Sequence, residues 1–171
     1  MALNIGIVGA GVAGLAAGIA FRRAGHNVTL YERSLLQNEI GAAITLTSNG
    51  NLVLSRWGLD AGAAGATDIV QARRLDGTTL ELLSRQQWAG VEKNYGHAVK
   101  AFHRLDLHRG LRDLAEIGGV NIALAKEATK LDCRLGVILF EDGTEERKDL
   151  VIVADGIKVR SVYASIAFTE S

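Results

Sequence analysis

The 171-residue chain predicts an α/β fold, a parallel βαβ layer interrupted by a β-hairpin-rich insertion. Three observations carry that reading. A short apolar run, Leu3 to Val8, leads through a glycine-rich turn into an Ala-rich stretch and then a second apolar run. Two Asp-Gly pairs, Asp76-Gly77 and Asp142-Gly143, each stand between segments of strand character. The chain has 20 glycines and no proline, so close backbone approach shapes its turns rather than proline punctuation.

Each element follows in order. Leu3–Val8 is apolar, short and suited to a buried strand. Val12–Ala24, with Leu15, Ile19 and Phe21, suits a tightly packed helix, and Gly25 ends it as a left-handed cap. Asn27–Tyr31 is a second strand, and the short helical crossover makes the two strands parallel. Asn49–Trp57 reads as a helix stopped by Gly58, and Ala61–Ala66 as a loop of small residues. Ile69–Leu75 and Thr78–Leu83 predict a hairpin around Asp76-Gly77, whereas Ser84–His97 has no clear period. Ala98–His103 predicts a strand, Leu105–Ile117 a helix closed by Gly118-Gly119, and Val120–Ala125 another strand. Gly136–Phe140 and Thr144–Lys148 predict a second hairpin around Asp142-Gly143. Leu150–Ala154 is again a buried strand, ending at Asp155-Gly156.

Composition excludes several classes. Lys+Arg and Asp+Glu are 19 each, so no basic surplus argues for nucleic acid and no acidic surplus for a disordered tail. A hydrophobic fraction of 48% against 22% charged is that of a globular domain. A lone Cys133, just after a strand, excludes an internal disulfide and reads as inert. His103 and His108 are five apart and share no helix face as a metal pair would. No G-x-S-x-G element is present, and Trp57 and Trp88 lack the basic stripe of a base-stacking surface. The uncharged run from Ile5 to Phe21 is too short and too rich in Gly and Ala for a membrane span, and no positive charge precedes it as in a signal peptide. A cytoplasmic location is the expectation.

The chemistry lies in Gly9-Ala10-Gly11-Val12-Ala13-Gly14, a G-x-G-x-x-G between strand and helix. Gly9 makes the tight turn, Gly11 clears room for a pyrophosphate, and Gly14 lets the helix pack on the strand. The helix N-terminus offers N–H groups and partial positive charge to the anion. Glu32 closes the second strand 18 residues past Gly14, where a carboxylate accepts hydrogen bonds from both ribose hydroxyls and repels a 2′-phosphate. The bland alternative is an Ala/Gly-rich core segment with a solvated Glu.

With these residues in place, the chain resembles the FAD-dependent monooxygenases of the aromatic hydroxylase type, similar to salicylate hydroxylase. The resemblance runs through Ile5 to Leu15, Tyr31-Glu32-Arg33, Gly41-Ala42-Ala43-Ile44 and Asn49 to Leu59. It continues through His103-Arg104-Leu105-Asp106-Leu107 and Asp149 to Gly156. It implies a Rossmann-like FAD-binding layer made of residues 1–66 and 98–160. Residues 67–97 would begin a substrate-domain insertion, and 161–171 would be an unmatched tail. It further implies that Glu32 holds the FAD ribose, Arg33 flanks the adenine and the backbone around Ala43 faces the flavin. Arg104 would reach FAD as a forked donor to phosphate oxygens, and Asp155 and Gly156 would lie near the pyrophosphates of FAD and of a visiting NAD(P)H. Arg104 as an exposed arginine at a helix start, and Asp155-Gly156 as a plain strand-ending turn, are the alternatives. No side chain is assigned as catalytic.

The activity that the resemblance implies is hydroxylation of an aromatic or otherwise activated small molecule by O2, through a flavin C4a-hydroperoxide, with NAD(P)H as reductant. Against the family pattern, the Ser and Arg after Asp155-Gly156 are out of register in Ile157-Lys158-Val159-Arg160-Ser161. The family's later Gly-Asp motif and its proline-containing flavin segment have no counterpart. The chain therefore reads as an amino-terminal fragment, truncated or in an altered frame after Lys158 and inactive as it stands. An unpaired sheet edge and an uncovered apolar hairpin face are expected, with self-association through that edge as one consequence. Two other readings stay open: a non-enzymatic remnant or interaction module, and an NAD-dependent dehydrogenase.

Overall fold

The computed structural model describes residues 1–36 and 41–156. In chain order the elements are β1 (Asn4–Val8), α1 (Val12–Arg23), β2 (Asn27–Tyr31), β3 (Ala43–Leu46), α2 (Ser48–Trp57) and β4 (Thr67–Asp68). Next come β5 (Gln71–Leu75), β6 (Leu82–Gln87), α3 (Glu92–Tyr95), β7 (Lys100–His103) and α4 (Arg104–Ile117). The last are β8 (Asn121–Ala123), β9 (Ala128–Asp132), β10 (Val137–Phe140), β11 (Glu145–Arg147) and β12 (Leu150–Val153). They divide into two compact units, Met1–Glu39 with Leu111–Ser171, and Ile40–Gly110.

The first unit is built on a parallel sheet of order β12-β1-β2-β8. Its central strand, β1, is buried from Ile5 to Val8, as a continuous apolar run between two covered faces must be. On one face lies α1, whose buried Gly14, Leu15, Gly18 and Ile19 form a stripe of small and aliphatic residues. A Cβ on Gly18 would stand 3.4 Å from Val120 Cγ1, so small residues set the close approach of helix and sheet. The helix ends as the sequence predicts. Gly25 takes φ +89°, its N–H donates to Arg22 O, and His26 N–H donates to Phe21 O, which satisfies two terminal carbonyls.

The other face carries the antiparallel sheet β11-β10-β9. Val8 and Tyr31 pack there with Ala128, Leu131, Ile138 and Phe140. The Tyr31 and Phe140 rings lie 4.7 Å apart between centroids, tilted at 49°. The Asp142-Gly143 hairpin forms as predicted, with Gly143 at φ +79° and Gly143 N–H donating to Phe140 O. The parallel layer and its hairpin-bearing interruption are thus both present.

The second unit holds the antiparallel sheet β3-β7-β4 and the β5-β6 ribbon. Asn51 on α2 is buried, and its Nδ2 donates to Leu46 O and Ala98 O, both at 3.0 Å, tying the end of β3 to the approach to β7. One sequence expectation is corrected here. Asp76-Gly77 is not a tight hairpin turn. Asp76 Oδ1 accepts from Thr78 N and Thr79 N, Leu80 N–H donates to Asp76 O, and Leu80 rather than Gly77 takes a left-handed φ, +59°. This wider Asx-type loop delays the return strand to Leu82–Gln87, inside the stretch without a clear period. Both strands of the ribbon are exposed along their length, and Leu75, Leu80, Leu82 and Leu83 are solvent-facing.

Candidate functional site

In the first unit the chain leaves β1 to pair β2 and then β8 on one side, and returns to pair β12 on the other. The strand order therefore reverses between β1 and β12, and beyond the carboxyl ends of such strands an open α/β sheet has its crevice. Three of the strand ends that border it carry the residues singled out above: Gly9 after β1, Glu32 after β2, and Asp155-Gly156 after β12.

The three glycines are required for three different reasons. Gly9 takes φ +103°, and a Cβ there would lie 2.4 Å from Ala154 O, so both conformation and space demand glycine. A Cβ on Gly14 would lie 1.9 Å from Gly9 O, because the first turn of α1 sits directly on the loop. Gly11 is unlike both: its φ is −68°, and a Cβ would meet none of the described residues within 4 Å. Among the described residues nothing requires glycine there, and none of them fills the space in front of it.

Gly11 is also the N-cap of α1, without a side-chain capping bond and with no acidic residue in the first turn. Among the described residues no side-chain cap serves this helix end, and free N–H groups at such an end suit an anion. Opposite, Glu32 is half-buried and reaches the loop: Oε2 accepts from Ala10 N at 2.8 Å and Oε1 from Ser34 N at 2.9 Å. Each carboxylate oxygen has a second lone pair, so the anchored carboxylate keeps acceptor capacity for two hydroxyls. Its backbone is fixed as well, since Glu32 N donates to Ala123 O and Lys126 N to Glu32 O. The anchoring amides of Ala10 and Ser34 escaped the sequence reading; the Asx-like offset of Ser34, two residues on, was the available signal.

Asp155 follows Ala154, whose N–H donates to Val8 O at 2.7 Å. Its Oδ2 is buried and has no hydrogen-bond partner among the described residues. An orphaned acceptor calls for a donor such as a sugar hydroxyl or water rather than a phosphate oxygen. Gly156 takes φ +85° and is exposed, as a strand-ending turn requires. Arg33 is exposed beside Glu32. Lys158, Arg160 and Ser161 lie outside the described residues.

The remaining candidates belong to the second unit. Ala43 is exposed at the start of β3, paired with His103 of β7, and Arg104 N donates to Ala42 O at 2.8 Å. Residues 41–43 and 103–104 are thereby held together. Arg104 is half-buried at the first position of α4. Among the described residues no cluster of His, Cys, Asp and Glu could hold a metal ion, and no helix is long and apolar enough to cross a membrane.

Open space at Gly11, an uncapped helix end and an anchored carboxylate fit a ribose linked to a diphosphate. Residues 7–63 match the family model of the NAD(P)-binding Rossmann-like domain. The FAD-dependent monooxygenase OpS4 of Beauveria bassiana (strain ARSEF 2860) is 36% identical over 166 residues, which cover 93% of this chain and 38% of that protein. This chain is a homologue of the FAD-dependent monooxygenases. A second relative of these monooxygenases, the 3-amino-4-hydroxybenzoate 2-monooxygenase PtnB3 of Streptomyces platensis, is 34% identical over 159 residues, 90% of this chain and 39% of its own. Among solved structures, the tetrameric 2-methyl-3-hydroxypyridine-5-carboxylic acid oxygenase matches with a TM-score of 0.74 at 26% identity, covering 88% of this chain and 38% of that one. Native FqzB matches with a TM-score of 0.77 at 26% identity, covering 91% and 36%. The chain spans less than half the length of the curated monooxygenases it matches.

Proposed function

We propose that this chain binds FAD, as the nucleotide-binding part of a monooxygenase that hydroxylates an aromatic or otherwise activated small molecule with O2 and NAD(P)H. The observation that carries the proposal is the uncapped amino end of α1, open in front of Gly11 and faced by the carboxylate of Glu32. Bound FAD would supply the redox and oxygen chemistry, which no side chain of the described residues can supply.

The chain's own residues bind and orient. The amides of the Gly9–Gly14 loop and of the first helical turn hold the diphosphate, and Glu32 accepts from the adenosine ribose hydroxyls. A 2′-phosphorylated ribose would meet the same carboxylate as a like charge. Arg33 flanks the adenine and Asp155 accepts from a hydroxyl beside the diphosphate, with Gly156 giving the turn that brings it there. For the flavin half, the reading assigns Ala43, through its backbone, and Arg104. Residues 67–97 begin the substrate-side insertion, and a cytosolic setting belongs to the same reading.

The test is thermal unfolding with ADP, FAD and NAD in turn. A ligand at a hundred times its Kd stabilises by about 2.7 kcal/mol, so FAD and ADP should each raise Tm and NAD should do so less. A Tm raised by NAD and unmoved by FAD would favour a dehydrogenase. One observation supports a rival: the β5-β6 ribbon exposes Leu75, Leu80, Leu82 and Leu83, as an interaction module would. That reading requires a stable oligomer, formed through the ribbon or the sheet edge, without nucleotide affinity.

A further inference from the structure

A histidine outside every assigned role sits on the segment offered to the flavin. The imidazole of His103 occupies the place where a side chain at position 41 would begin: a Cβ on Gly41 would stand 2.3 Å from both Cε1 and Nε2 of the ring and 3.3 Å from Nδ1. Gly41 is not a left-handed glycine, so space rather than conformation is the reason for glycine here. The same two stretches are joined twice more. His103 is the ladder partner of Ala43, and Arg104 N donates to Ala42 O at 2.8 Å. On its far side the ring has Asp106, whose Oδ2 lies 3.8 Å from Nδ1 and whose Oδ1 lies 3.8 Å from Arg109. The ring is half-exposed, with 53% of its side-chain surface open. An exposed aromatic ring resting on a bare glycine is not needed to fill a core.

We propose that His103 is a positioning residue: its ring, seated on Gly41, sets the path of the backbone through Ala42 and Ala43. This inference rests on the reading that Ala43 serves the flavin half of FAD. It makes Gly41 and His103 one device, since a methyl at position 41 ejects the ring and a missing ring frees the glycine.

The test is a double-mutant cycle on the full chain, with Gly41→Ala, His103→Ala and both together, and His103→Phe as the ring-retaining control. ADP and FAD affinities are measured by calorimetry, with the visible flavin spectrum of the FAD complex as the second readout. Gly41→Ala and His103→Ala should each weaken FAD about tenfold, near 1.4 kcal/mol, shift the flavin band and leave ADP affinity unchanged. The double variant should be no worse than either single one, and His103→Phe should keep most of the FAD affinity. Additive losses, equal losses for ADP and FAD, or unchanged FAD affinity and spectrum in His103→Ala would overturn the inference. If Gly41→Ala does not fold, the comparison of His103→Ala with His103→Phe decides alone. Wild-type protein that binds ADP but not FAD would overturn the cofactor reading itself, an outcome distinct from wild-type FAD binding that His103 does not affect.

Discussion

Gly11 and Gly14 are three residues apart in one motif, yet the structure separates their functions. An alanine at Gly14 would gain about 1 kcal/mol of helix propensity, but its methyl would lie 1.9 Å from a backbone oxygen that cannot swing aside. The clash wins, and Gly14→Ala should destabilise the protein by about 1–3 kcal/mol or more in chemical denaturation. Gly11→Ala meets none of the described residues within 4 Å at φ −68°, and should change stability by less than about 1 kcal/mol. It should instead weaken ADP binding at least about tenfold, since the methyl stands where the diphosphate approaches. Denaturant melts and ADP titrations of the two variants separate these outcomes; equal stability losses would contradict the geometry. For Glu32, the account predicts that Glu32→Gln weakens ADP about tenfold or more, as one acceptor oxygen becomes a donor, and lowers the melt as well, since the new NH2 faces the backbone N–H of Ala10 or Ser34. Unchanged ADP affinity would remove Glu32 from the site.

At the scale of the elements, two hairpins with the same Asp-Gly signal behave differently. In the β10-β11 turn Asp142 pairs with Lys126 and accepts from Thr144, and these bonds, the Lys126 bond foremost, hold its carboxyl down to about 2. A depressed carboxyl stabilises the folded state above its unfolded value of 3.8, and that contribution is lost as pH falls through about 2. Asp142→Asn should therefore lower Tm at neutral pH, and the gap to wild type should close between those two values; a gap constant with pH would contradict it. The β5-β6 ribbon, exposed on both strands, should exchange its amides far faster than β1 and β2 in hydrogen-exchange measurements, and equal protection would refute this. The same contrast shows what was legible in sequence. Period and caps gave α1, α2, α4 and the four strands of the parallel sheet, β8 lying inside Val120–Ala125. The Asp-Gly signal was overruled at Asp76 because the side chain captures two amides and pushes the left-handed residue out to Leu80. β3, only four residues long, alternates exposed and half-buried positions, a pattern too short to separate from loop. Of the site, the loop glycines and Glu32 announce themselves by spacing. The Gly41–His103 stack joins residues distant in sequence and leaves no local trace.

At the scale of the whole chain, the proposal is that the Gly9–Gly14 loop and Glu32 bind the nucleotide half of FAD. The relatives are monooxygenases more than twice as long. Backbone amide NMR during an ADP titration tests that claim most directly. The largest shifts should fall on Ala10 to Gly14 and on Ser34, whose amide shares Glu32, with smaller ones at Asp155 and Gly156. Saturable binding that leaves the amides of the Gly9–Gly14 loop unmoved, or no binding of ADP at all, would contradict the account.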